Sequence, residues 1–194
     1  MAADLAHYLF SSLGGHGEIA ILEGTPASAT SHARLRGFHD ALADYAGVTV
    51  RTSLRGDYQR DIAREAFLGA TDVMYDVDAV LCANDVMALG VLDALGAAAS
   101  GGRKWPLVVG VNATPDAIAA IESGLMLATA NFDAMAMSAL ATEAAVRHLR
   151  GETVPREIML PVQVIDAANF QKWNVPFRAR TCPSWPEATG LSPP

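Results

Sequence analysis

The chain has little cysteine, little positive charge and no long apolar run, and each shortage closes off a class of function. Its two cysteines, Cys82 and Cys182, cannot build a disulfide framework across 194 residues. Cys82 lies in an apolar, strand-like run and reads as a small buried side chain; a bridge to Cys182 requires the tail to fold back. Lys and Arg number 14 against 21 Asp and Glu, for a formal charge of −7 and a pI near 5.1. Phosphate binding needs clustered cations, so nucleic acid is not an expected partner. No stretch approaches the ~18–20 consecutive apolar residues of a membrane-spanning helix. The opening "MAADLAHYLF" lacks the basic start, apolar centre and cleavage site of a secretory signal.

Catalytic signatures are missing too. There is no Gly-x-Ser-x-Gly elbow, Walker loop or zinc pattern, and no evident nucleophile–base pair. His7, His16, His32, His39 and His148 show no metal-ligand spacing, and His32 and His39 read as a solvated helix face. "GGHG" (14–17) resembles a phosphate loop but precedes its strand, so the helix N-terminus that would hold phosphate is absent. The sequence therefore calls for no catalytic residue, no metal and no cofactor, and the chain is not expected to be an enzyme.

What is present is a regular alternation of helix and strand. Helical patterns cover 2–13, 30–46, 58–74, 85–97, 114–123 and 133–150; the second carries Leu35, Phe38, Leu42 and Tyr45 at helical spacing. Apolar strand-like runs cover 18–22, 48–54, 79–82, 106–111 and 126–130. Alternating strands and helices imply an α/β fold with a doubly wound, mostly parallel sheet and helices on both faces. After Gly151 the pattern changes: 157–165 is extended and interrupted by Pro161, and beyond Asn169 a tail without period is expected to wrap over a surface.

In open α/β sheets, ligands gather at the carboxyl ends of the strands. The segments that follow the five strands are "EGTPASATSHAR", "RGDY", "AND", "VNATPD" and "NFD". One rim thus offers amides (Asn84, Asn112, Asn131), a guanidinium (Arg34), carboxylates (Asp57, Asp85, Asp133) and rings (Tyr58, Phe132). That mixture suits a small polyhydroxylated ligand, with bidentate groups on adjacent hydroxyls and rings on C–H faces. Each residue also has a local explanation: Asn84 or Asp85 as a helix cap, Asn112 in a turn before Pro115, Arg34 on a solvated face, Tyr58 in the core. Their convergence on one rim favours the ligand reading.

With these words placed, the sequence resembles the C-terminal part of the ribose-binding-protein-like family, the periplasmic sugar receptors of ABC transporters with the type I binding-protein fold. The matching words are "IAILEGTPASATSHARLRGFHDAL", "GDYQRDIA", "AVLCANDVMALGVLDAL", "VVGVNATPDAIAAIESGLMLATA" and "LRGETVP", covering about residues 1–165. The resemblance implies two lobes joined by three hinge strands, of which this chain would hold the C-terminal one. Residues 1–132 would form that lobe, 133–156 a hinge crossing and an orphan helix of the missing N-terminal lobe, and 157–194 the return crossing and tail. It further implies a reversible sugar or polyol site, a membrane permease as partner of the full-length protein, and a periplasmic location. The orphan helix, with Met135, Leu140, Ala144 and Leu149 on its apolar face, would drive self-association.

By the same resemblance, Arg34 matches an arginine that hydrogen-bonds sugar hydroxyls, Tyr58 an aromatic on the sugar, and Asn84 a ligand-binding asparagine, which leaves Asp85 as the cap. Asn112 stands where many relatives have aspartate. Phe132 stands where glutamine is common, and either Phe132 or Asn131 would touch ligand. The alternative is the effector-binding domain of a LacI-type transcription regulator, whose helix-turn-helix is absent and which typically lacks the "IESGLMLATA" pattern. An enzyme on a flavodoxin-like sheet is the remaining option.

Overall fold

A computed structural model describes residues 1–97 and 105–191. Helix α1 (Ala2–Ser12) leads into strand β1 (His16–Glu23), followed by α2 (Ala29–Leu42), β2 (Gly47–Arg55), α3 (Arg60–Gly69) and the single turn α4 (Thr71–Met74). Then come β3 (Ala79–Cys82), α5 (Asp85–Ala97), β4 (Leu107–Asn112), α6 (Pro115–Glu122), β5 (Ala128–Asn131), α7 (Ala134–Leu149), β6 (Val164–Asp166) and α8 (Trp185–Thr189). The strands form one sheet in the order β2-β1-β3-β4-β5-β6, with β1 to β5 parallel and β6 antiparallel to β5.

The expected α/β sheet is therefore present, with a sixth strand added by the return segment. β3 is buried along its whole length and β4 along its middle, as strands covered by helices on both faces must be. The edge strand β2 alternates instead. α5 buries residues all round, Met87, Leu89, Val91, Leu92 and Leu95 among them, because it packs against α3 and α6 as well as against β3 and β4. Phe10, Phe38 and Phe67 are fully buried, one from each of α1, α2 and α3.

Three expectations are corrected. The helix over 58–74 does not run through. Asp57 and Tyr58 adopt φ of 51° and 61°, outside any right-handed helix, and the segment breaks again at Ala70 after Gly69, a poor helix former. The tail is not wholly irregular either. It makes two 3₁₀ turns (Phe170–Trp173, Phe177–Ala179) and then α8, which carries a Ser184–Glu187 capping box and ends on the left-handed Gly190. α8 buries Trp185 beneath Arg147 of α7, with the guanidinium 4.8 Å from the ring centroid. Leu140 is buried, not part of an open face, while Met135, Met137, Val146 and Leu149 of α7 are exposed.

Candidate functional site

The rim at the carboxyl ends of the strands is also where helices begin, and short acceptors cap them. Ser28 Oγ accepts from Ser31 N, Asn84 Oδ1 from Met87 N (2.9 Å), Thr114 Oγ1 from Ala117 N, and Asp133 Oδ1 from Ala136 N. The division of labour expected for Asn84 and Asp85 is thus corrected: Asn84 supplies the cap. Asp85 has no exposure; its carboxylate accepts from Thr114 N (2.8 Å) and Thr129 Oγ1 (2.6 Å). Gly110 leaves the room for it, since a Cβ there would lie 2.5 Å from Asp85 Oδ1.

Arg34 gathers the rim. From the second turn of α2 its Nη1 donates to Ala83 O (2.5 Å), just past β3, and its Nη2 to Asn112 Oδ1 (2.9 Å), at the end of β4. Its guanidinium lies 5.7 Å from the Tyr58 ring centroid, after β2, and 5.6 Å from the Phe132 ring centroid, after β5. Four loops therefore converge on one side chain. Arg34 is 5% exposed, and burial pulls its basicity below the ordinary value, with Tyr58 and Asp85 opposing that pull. Arg34 Nε and Tyr58 Oη are buried and, among the described residues, have no hydrogen-bond partner.

Backbone strain falls on the same rim. Asp57, Tyr58, Asn112 and Ala113 are the described non-glycine residues with positive φ, at 51°, 61°, 128° and 53°. Each such residue costs roughly 1–3 kcal/mol and persists only where its surroundings fix it. At 112–113 the fixing is visible: Ala113 N donates to Thr129 Oγ1 while Thr114 N donates to Asp85. This clamp turns the end of β4 so that Asn112 meets Arg34. At 57–58, the Tyr58 ring rests on Gly24, where any Cβ would lie 2.2 Å from the ring.

The other carboxylates expected on the rim are committed. Asp57 pairs with Arg55 (2.6 Å), and Asp133 caps α7. Asn131 spends both ends of its amide on the return segment: Oδ1 accepts from Gln163 N (2.6 Å) and Nδ2 donates to Pro161 O (3.4 Å). The structure thus brings Arg34, Tyr58, Asn112 and Phe132 together, sets Asn84 beside them, and turns Asn131 toward the return segment. Phe132 also lines a cavity of about 770 Å³, together with Asn131, Met137, Ile158, Gln163, Trp173 and Cys182 among others. Sequence reading missed the Asp85–Thr129 clamp and Arg180. Arg180 lies over the rings of Trp173 and Phe177 (5.2 and 4.5 Å to their centroids) and donates to Trp173 O. Both cysteines are free. Among the described residues no His, Cys, Asp or Glu cluster could hold a metal ion, and no helix is long and apolar enough to cross a membrane.

Residues 1–153 match the family described as periplasmic binding protein domain. The chain belongs to that family. Among curated members of this periplasmic binding protein family, it is 31% identical over 159 residues to the ribose import binding protein of Bacillus subtilis (strain 168), covering 82% of this chain and 50% of that one. It is 29% identical over 165 residues to a putative rhizopine-binding protein of Rhizobium meliloti, covering 83% and 52%. The chain spans about half the length of the curated relatives it matches. The fold recurs in an ABC transporter periplasmic solute binding protein of Actinobacillus succinogenes 130z with bound D-allose, at a TM-score of 0.81 and 24% identity over 88% of this chain and 59% of that one. It also recurs in an ABC transporter solute binding protein of Bacillus halodurans C-125 with bound myo-inositol, at a TM-score of 0.80 and 25% identity over 87% and 58%.

Proposed function

We propose that the chain is the C-terminal lobe of a solute-binding protein that takes up a monosaccharide or polyol reversibly at the Arg34 rim and performs no chemistry on it. The observation that carries this reading is the convergence of four strand-end loops on one buried arginine, with aromatic rings beside it and two buried polar atoms that have no partner among the described residues. Arg34, Asn84 and Asn112 would hold hydroxyls, Tyr58 and Phe132 would cover C–H faces, and Asn131 would fix the return segment next to them. A location in the periplasm and a membrane permease of an ABC importer as partner fit the family. The regulator alternative finds no support among the relatives named above.

In this reading residues 133–156 lead into a second lobe, and hinge closure over the ligand completes the site. One lobe offers only part of the contacts, so binding by this chain alone is expected in the millimolar range. Titrating the chain with ribose, allose and myo-inositol, followed by amide chemical shifts, checks it. Shifts confined to the Arg34 rim support the proposal; no shift with any of them, nor with any sugar acid, at high millimolar concentration sinks it, and micromolar affinity for a monomer overturns the half-site picture. The exposed Met135, Met137, Val146 and Leu149 of α7 should also make the chain self-associate. Light scattering that reports a monomer at every concentration would count against that.

A further inference from the structure

The charge and the donor count of the rim narrow the ligand further, on the reading that the rim binds a sugar. Arg34 is almost wholly buried, yet among the described residues it makes no ion pair. Its immediate neighbours are a carbonyl, an amide oxygen and two ring faces, all neutral. Asp57 is taken by Arg55, Asp133 by the cap of α7, and Asp85 by Thr114 and Thr129. Asp85 supplies negative charge at longer range and supports the cation, but no carboxylate touches the guanidinium, and burying a cation without direct pairing is costly. The flanking ring faces offset only a part of that cost.

The hydrogen-bonding groups lean the same way. A guanidinium can only donate, so Asn112 must turn Oδ1 toward it, and among the described residues its Nδ2, which can only donate, has no partner. A backbone N–H can only donate, so Asn84 must likewise turn Oδ1 to Met87 N, which leaves a second Nδ2 without a partner among the described residues. Arg34 Nε adds a buried N–H, and Tyr58 Oη a buried hydroxyl, neither with a partner among the described residues. The rim is therefore rich in donors, although Tyr58 Oη can accept as well as donate and the bonded amide and carbonyl oxygens each keep a second lone pair. Every hydroxyl of a neutral sugar brings a proton that needs an acceptor, and one buried without an acceptor weakens binding. A carboxylate brings acceptors alone and can take the guanidinium and neighbouring N–H groups together.

We propose that the rim is selective for a sugar acid, an aldonate or uronate, whose carboxylate lies against Arg34, and that Asn112 is the residue that sets this preference. A carboxylate at position 112 would neutralise Arg34 from within the protein and return an acceptor to the rim; the amide does neither.

The test compares ligands matched except at one carbon: galactose, galacturonate and galactosamine, with gluconate against glucose as a second pair. Each is titrated into the full chain, with the rim amides and the Arg34 Nε–H signal followed by NMR. At least about tenfold tighter binding is expected for the acid than for its neutral partner, from one charge-assisted bond in place of a neutral one. The acid's affinity should fall with added salt, and the amino sugar should not bind. Asn112→Asp should erase the acid preference. Equal or tighter binding of both neutral sugars by the unaltered chain overturns the inference and leaves the sugar-binding reading standing. Silence from every compound sinks that reading and this inference with it.

Discussion

Replacing Arg34 with methionine is expected to abolish measurable sugar binding, a loss of at least about a hundredfold, because hydrogen bonds from a charged donor contribute about 1.5–3 kcal/mol each and two or more go at once. The methionine fills much the same apolar space between Tyr58 and Phe132 but leaves Ala83 O and Asn112 Oδ1 without their donor. Each orphaned buried acceptor costs about 1–3 kcal/mol, set against the relief of no longer burying a charge, so folding stability should drop by only a few kcal/mol at most. Arg34→Lys separates charge from shape. Lysine keeps the cation yet cannot hold both acceptors with a planar fork, so it should recover only a small part of the lost affinity. Calorimetric or NMR titration, with denaturant unfolding of the same samples, reads both effects. If the methionine variant binds within tenfold of the original, Arg34 does not hold the ligand.

Most of the sheet was legible in the sequence because parallel strands covered on both faces are unbroken apolar runs bounded by turn residues; "AVLC" is β3 to the residue. The rim followed from topology, since every strand of a parallel sheet ends on the same side. What local pattern could not supply was the assignment of roles. Asn84 and Asp85 are adjacent short acceptors, and either can cap α5. Thr129, 44 residues on from Asp85, and the open space at Gly110 decide that Asp85 goes inward and Asn84 caps. The Arg34–Asn112 bond, across 78 residues, is likewise invisible to spacing. The break at 57–58 escaped notice because positive φ at aspartate and tyrosine goes against their preference, and such departures concentrate where a site is held in shape. Leu140 looked open because the helical pattern says which face is apolar and not what covers it.

Asp85 links the stability of the fold to the state of the rim, and pH should expose the link. Burial pushes its carboxyl from the ordinary 3.8 up to about 6, against the lowering pull of its bonds to Thr129 and Thr114 and of the Arg34 charge. The folded chain therefore holds this proton more tightly than the unfolded chain. The stability it contributes is complete below about pH 4 and is lost as pH rises through about 6, a span worth about 3 kcal/mol. Asp85→Asn removes that titration while other carboxylates continue to titrate in both proteins. Urea unfolding of the two chains between pH 4 and pH 7 should show their stability difference moving by about that amount in favour of the variant as pH rises. A constant difference across the range would mean the carboxyl keeps its ordinary value. Arg34 lowers the Asp85 value, so Arg34→Met should move the same transition to higher pH. Coupling of that sign would tie the clamp behind β4 to the cation in front of it, and protonating Asp85 would then leave Arg34 in greater need of a negative ligand.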